Sequence, residues 1–251
     1  MKKATMRPAK HIQYSLLALL ACTVCFEFTP LDIWVQDLFY NSGSQQWLLS
    51  IKGSPIRHFL LYDGPKKLLI LFELSLLLSL LFFRKHSLVK QYHSGLLIVL
   101  LSLPLGPAVV SSLKGTTNVA CPYALNQYGG DIPYIKIFER YPAGQQPSKQ
   151  QRCFPAGHAS GGFALMALYY LPQSRRRRRQ VLYFAIGAGW LMGGYKMLLG
   201  HHFLSHTLIS MILSWFVINC IAQMVTPHKV LDPDSPLTPE RSPLLPVVSS
   251  D

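Results

Sequence analysis

Ser94-Gly95-Leu96-Leu97-Ile98-Val99-Leu100-Leu101-Ser102-Leu103-Pro104-Leu105-Gly106-Pro107-Ala108-Val109-Val110-Ser111-Ser112-Leu113 runs for twenty residues without a charge and stops at Lys114. As a helix it is ~30 Å long, the thickness of a bilayer's hydrocarbon core. Five further apolar runs lie on either side, at roughly 13–30, 68–83, 158–173, 181–199 and 207–225. Charged residues make up only 14% of the 251 and half of the chain is hydrophobic, unlike a soluble domain. The expected fold is an all-α, polytopic membrane protein, a six-transmembrane-helix bundle over 1–225. The segment 226–251, rich in proline and serine, is expected to be a flexible cytoplasmic tail. The first run follows Lys2, Lys3, Arg7 and Lys10 but has no small-residue cleavage site after it, so it reads as an anchor.

The cations set the orientation. The N-terminus, Arg84-Lys85 with Lys90, and the unbroken Arg175–Arg179 fall on one side of a six-span chain, the cytoplasmic side by the positive-inside rule. The loops 31–67 and 114–155 and the His201–His206 turn then face outward. The arginine run reads as a membrane anchor and not as a nucleic-acid patch, and the net charge of +13 favours anionic headgroups. Leu31, Trp34, Val35, Leu38 and Phe39 recur at helical spacing with Asp32 and Asp37 opposite, which predicts an interfacial helix. Trp34, Tyr40 and Trp47 suit a headgroup layer. Pro104, Gly106 and Pro107 predict a kink in the third run. Glu73 lies inside the second run, where a packing role is expected. Gly161-Gly162 are expected to let spans pack closely. Cys121 and Cys153 share the outer 114–155 loop, where a disulfide is chemically allowed. The loop, turned at Tyr128-Gly129-Gly130-Asp131, is the natural lid over a site.

Three pieces of sequence meet the outer face with groups suited to phosphate chemistry: Lys114 with Cys121-Pro122, Pro155-Ala156-Gly157-His158, and Lys196 to His206. A transferring phosphoryl group needs cations and N–H donors around its non-bridging oxygens. Lys114 and Lys196 can supply the charge. Ala156, Gly157 and His158 open a helix whose first N–H groups can face an anion. One imidazole can attack phosphorus while another protonates the leaving alkoxide. No cofactor and no metal is needed for this. His202 and His206 at i, i+4 are also a possible metal pair, though no third ligand is evident. Interfacial histidines without a catalytic role and a snorkelling Lys114 are the bland alternatives.

The motifs resemble those of the type 2 phosphatidic acid phosphatases, relatives of the vanadium haloperoxidases. That family's pattern is Lys, six residues, Arg-Pro; then Pro-Ser-Gly-His; then Ser-Arg, five residues, His, three residues, Asp. Here Lys114, six residues and Cys121-Pro122 fit the first. Pro155-Ala156-Gly157-His158 fits the second, and Tyr195-Lys196, five residues, His202, three residues and His206 fit the third. Arginine, serine and aspartate are replaced. The variant motifs are similar to those of a bacterial membrane-associated subgroup. The resemblance implies His202 as nucleophile through a phosphohistidine, His158 as general acid, and His206 in the place of the aspartate that steadies the nucleophile. It implies Lys114, Lys196, Ala156 and Gly157 as the phosphate cradle. It further implies a phosphatase acting on a lipid phosphate or diphosphate (lipid A, polyprenyl diphosphate or a glycerophospholipid). The expected location is the bacterial inner membrane, with the site on the periplasmic face. The alternatives are a phosphotransferase to a second lipid and an inactive lipid-binding protein. No nucleic-acid partner is expected, and oligomeric state is not encoded in these patterns.

Overall fold

A computed structural model describes residues 8–49, 59 and 63–226; the 227–251 tail lies outside them. The described chain is mostly helical, in the order α1 (Pro8–Phe28), α2 (Leu31–Asp37), β1 (Tyr40–Asn41), β2 (Gln46–Trp47), α3 (Gly64–Phe82), α4 (Ser87–Lys114), α5 (Gly157–Ala164), α6 (Arg175–Leu198) and α7 (Leu204–Val225). Two short 3-10 turns, Pro122–Ala124 and Asn126–Tyr128, lie in the long loop, and a third, Leu165–Tyr170, continues α5. β1 and β2 form a two-residue antiparallel ribbon pairing Tyr40 with Trp47.

Three helices among the described residues are long and apolar enough to cross a membrane: α1, α4 and α7. The other three expected spans depart from that standard for visible reasons. α3 has the length, but Lys66, Lys67 and Glu73 interrupt it. α6 has 24 residues, but past its five opening arginines the 181–198 stretch is made less apolar by Lys196 and four glycines. The 158–173 run is α-helical for only eight residues before tightening into 3-10 geometry. That glycine-rich segment lies at the centre of the core. Ala156, Ala159, Phe163, Ala164, Met166 and Ala167 are all buried there, packed with Ile98 and Val99 of α4 and Ile218 of α7. At Gly162 an added Cβ would lie 2.7 Å from the Gly189 Cα of α6, so this crossing excludes a side chain. By contrast Leu16, Leu17 and Leu20 of α1 and Leu68, Leu71 and Leu74 of α3 are exposed, as a lipid-facing surface requires.

Pro104 and Pro107 lie inside α4 without ending it. Ser174 starts α6 by accepting the Arg177 N–H at 3.3 Å. Residues 31–37 are helical, with Trp34 and Leu38 62% and 72% exposed as an interfacial helix requires, but Asp32 and Gln36 face protein and are buried. An apolar surround puts the polar face inward. Tyr40 and Trp47 pack with Tyr128 as a three-ring cluster.

The 114–155 loop is cross-tied. Cys121 and Cys153 are bridged with their Cα atoms 5.2 Å apart. The Cys153 N–H donates to the Val119 carbonyl, Gln151 N–H to Asn118 Oδ1, and Tyr141 Oη to the Asn118 carbonyl. Gly129 takes φ +84° at the expected turn. The loop packs through Leu125, Tyr128 and Ile135 around Phe203, at the start of α7.

Candidate active site

Connectivity brings the C-terminal ends of α4 and α6 and the N-terminal ends of α5 and α7 together, and every residue of the three motifs lies there. α6 ends in a Schellman motif: the Gly200 N–H donates to the Met197 carbonyl and the His201 N–H to that of Lys196. Gly200 is at φ +72°, and an added Cβ would sit 2.4 Å from the Trp47 ring. Both facts demand glycine. The turn delivers His202 between α6 and α7.

His158 and His202 face each other with ring centroids 6.1 Å apart. That spacing lets both imidazoles reach one phosphoryl group. His202 is only 4% exposed, and its Nδ1 lies 3.5 Å from the bridged Cys153 Sγ. A bridged sulfur has no proton and can only accept, so this contact calls for the Nδ1–H tautomer. Nε2 then keeps its lone pair. The same sulfur lies 2.9 Å from the His201 carbonyl oxygen, a close contact and not a hydrogen bond, since neither atom carries hydrogen.

His206 does not stand as a hydrogen-bond acceptor for His202 Nδ1. Its ring is 5.7 Å from that of His202, edge to face, and is enclosed by Phe154 and Phe203. It hydrogen-bonds the Cys153 backbone, and its Nδ1 is a buried nitrogen without a partner. Its carbonyl accepts the Ala156 N–H at 3.1 Å. Ala156 is thereby buried with its donor in use, so the donors left at the head of α5 begin with Gly157. The Lys114 side chain lies across that glycine: a Cβ there would meet its Cε at 3.3 Å and Nζ at 3.4 Å. Lys196 is 5% exposed, its Nζ 5.9 Å from the Tyr195 ring centre.

In the 199–203 turn the electrostatics favour neutral imidazoles. Burial, then the Lys196 charge, brings His201 down to about 4. Burial, then His206 and Lys114, holds His202 well below the ordinary 6.5. Cys153, His202 and His206 place possible ligand atoms within 4.8 Å of one another. The disulfide removes the thiolate a metal would need from Cys153, so the donor set does not fit a metal centre.

A cavity of about 470 Å³ opens beside these groups. Lys114, Gly157 and His158 line its head, and Leu69, Leu103 and Met192 are among its walls. Lys114 apart, the 114–155 loop does not line it. It buttresses the histidines instead.

Sequence reasoning missed three contributors from the first half of the chain. Asp32 Oδ1 accepts the Ser205 N–H at 2.8 Å and Oδ2 accepts its hydroxyl. Gln36 Nε2 donates to the Met197 carbonyl at 3.0 Å. Spaced i, i+4 on α2, these two side chains brace the helix ends on both sides of His202. Burial raises Asp32 to about 6, against the opposing pull of its Ser205 bonds. Lys66, the third, lines the cavity beside His158. The signal for the α2 pair was present: two polar residues on one face of a short helix whose other face is apolar.

The chain is 28% identical over 197 residues to the lipid A 4'-phosphatase of Francisella tularensis subsp. novicida (strain U112), a match covering 74% of this chain and 86% of that protein. No solved structure matches it. Residues 95–229, more than half of the chain, match the PAP2 superfamily. They start at α4 and take in Lys114, Gly157 and His158, which line the cavity, and Lys196, His202 and His206, which are buried and do not line it. The chain belongs to the PAP2 superfamily.

Proposed function

We propose that this protein is a multi-pass lipid phosphatase of the bacterial inner membrane, a six-span bundle with its site on the periplasmic face. The observation that carries the reading is His158, which with Lys114 and Gly157 lines the head of a cavity with largely apolar walls, and which has the His202 ring 6.1 Å behind it. Such a cavity suits a phosphate held in the membrane by its own chains. The relative that acts as a lipid A 4'-phosphatase supports a lipid A-type phosphate as substrate. Lys114 and Lys196 supply charge, and the Gly157 N–H supplies a donor. His202 Nε2 forms a bond to phosphorus as the P–O bond to the lipid breaks. His158 gives its proton to the leaving oxygen. Water then attacks the phosphohistidine, His158 takes the water's proton, and phosphate leaves with the imidazole restored. Metal-independence is part of this proposal. His206 acts behind His202 as a positioning residue.

The test is phosphate release from lipid A, polyprenyl diphosphate and phosphatidate by the purified protein in detergent, with and without chelator. Release that depends on His158 and His202 and ignores the chelator supports the hydrolase. Label passing to an added acceptor lipid with little free phosphate makes it a transferase.

A further inference from the structure

The wall of the cavity contains an ionisable group with no part in the chemistry above. Lys66, Leu69, Ile70 and Glu73 follow one another on α3 at i, i+3, i+4 and i+7, and all four line the cavity that holds Lys114 and His158. They form one stripe of that helix. Lys66 acts electrostatically on His158, so the outer end of the stripe is beside the reacting groups. Glu73 lies seven residues further along, ~10 Å deeper than Lys66 at helical rise. Leu103 and Pro107 of α4 and Met192 of α6 make the opposing walls apolar. Among the described residues Glu73 has no hydrogen-bond or ion-pair partner. An acidic side chain among apolar walls, within a helix flanked by exposed leucines, is costly unless something pairs with it. Close packing does not account for it, since one side of Glu73 faces open volume.

We propose that Glu73 is a specificity-determining residue that accepts a hydrogen bond from a hydroxyl or amide N–H carried by the lipid ~10 Å below its phosphate. In either protonation state one carboxyl oxygen can accept. The cavity thereby favours phosphates of amide-linked, hydroxyacylated glycolipids. Isoprenoid and diacylglycerol phosphates offer only hydrocarbon or ester acceptors at that depth. This assignment rests on the lipid phosphatase reading.

The experiment compares kcat/KM of the full chain in detergent for two lipids. One is a glucosamine phosphate bearing an amide-linked β-hydroxyacyl chain, and the other is dioleoyl phosphatidate. In Glu73→Leu the ratio of the first to the second falls on the order of tenfold. In Glu73→Gln, which keeps an acceptor oxygen, it falls less. A ratio within about twofold of wild type in Glu73→Leu, whether both activities fall together or neither moves, overturns the proposal. The same ratio is read as binding of the two lipids to His202→Ala protein, with and without Glu73→Leu, by native mass spectrometry. If wild type turns over neither lipid, the hydrolase reading fails, and the binding ratio decides the role of Glu73 by the same criterion.

Discussion

Asp32 and Ser205, 173 residues apart, are joined by two hydrogen bonds: the Ser205 N–H to Asp32 Oδ1 at 2.8 Å and the Ser205 hydroxyl to Oδ2. Ser205 is in the first turn of α7, where N–H groups lack helical partners, and it precedes His206 directly. The carboxyl therefore fixes the start of the helix that follows the His202 turn. Asp32 lies outside the residues matched by the family.

Asp32→Ala should lower kcat for phosphate release on the order of tenfold, with a smaller change in KM, because the turn loses its anchor while the cavity stays. Asp32→Asn keeps an acceptor for the Ser205 N–H and should lose less. Steady-state kinetics of both variants checks this. Equal, full activity in Asp32→Ala would show that the turn holds its place without the brace.

The Cys121–Cys153 bridge presents a sulfur to His202 Nδ1. In the family pattern an aspartate four residues after the nucleophile holds the imidazole; here that position is His206, and the ring nitrogen nearest a partner faces the disulfide. Reduction, or replacement of both cysteines by serine, should lower kcat roughly tenfold or more by freeing the tautomer. Turnover measured with and without dithiothreitol, beside the double variant, gives the answer. Activity indifferent to reduction would remove the sulfur from the mechanism.

Gly157→Ala places a Cβ 3.3 Å from Lys114 Cε. The lysine must give by a few tenths of an ångström at the head of α5, and KM should rise several-fold while the thermal midpoint changes little. Gly200→Ala is a different case. At φ +72°, with Trp47 2.4 Å from the new Cβ, it should destabilise the protein by about 1–3 kcal/mol. Thermal unfolding in detergent separates the two.

The turn histidines predict an acid-sensitive fold. His201 at about 4 and His202 well below 6.5 stay neutral in the folded protein, whereas the unfolded chain takes up protons below 6.5. Their contribution is full above that value and is lost as pH falls toward about 4. Asp32, raised to about 6, acts in the opposite sense, favouring the fold as pH falls through that value. Two histidines oppose one carboxyl, so the thermal midpoint should drop between about pH 7 and pH 5, and drop less in His201→Gln. A midpoint that rises over this interval contradicts the assignment.

How much of this was legible in the sequence depends on what each feature requires. Lys114, His158, Lys196 and His202 were readable because each meets the end of an apolar run, and short local patterns fix which end. The helices α1, α4 and α7 were readable for the same reason. The 158–173 segment is α-helical only over Gly157–Ala164, and that its small residues serve the Gly162–Gly189 crossing inside the core is not visible in a hydropathy pattern. Asp32 was legible as the polar side of an interfacial helix, but that this side meets Ser205 and not water depends on how α2 packs on α7. The Ala156 donor and the place of His206 depend on a backbone contact between α5 and α7 that no local pattern encodes. Glu73 was visible as an acid within a span, but its place in a cavity wall depends on how α3, α4 and α6 assemble.

The most direct test of the central claim is the rate of phosphate release from a lipid phosphate by His202→Ala protein, alongside trapping of the phosphorylated enzyme by rapid quench and peptide mass spectrometry. The account predicts a fall of roughly a thousandfold or more, with an acid-labile phosphate on the wild-type peptide containing His202 and none in the variant. Release within about tenfold of wild type in the variant, or phosphate trapped on another residue, would contradict it.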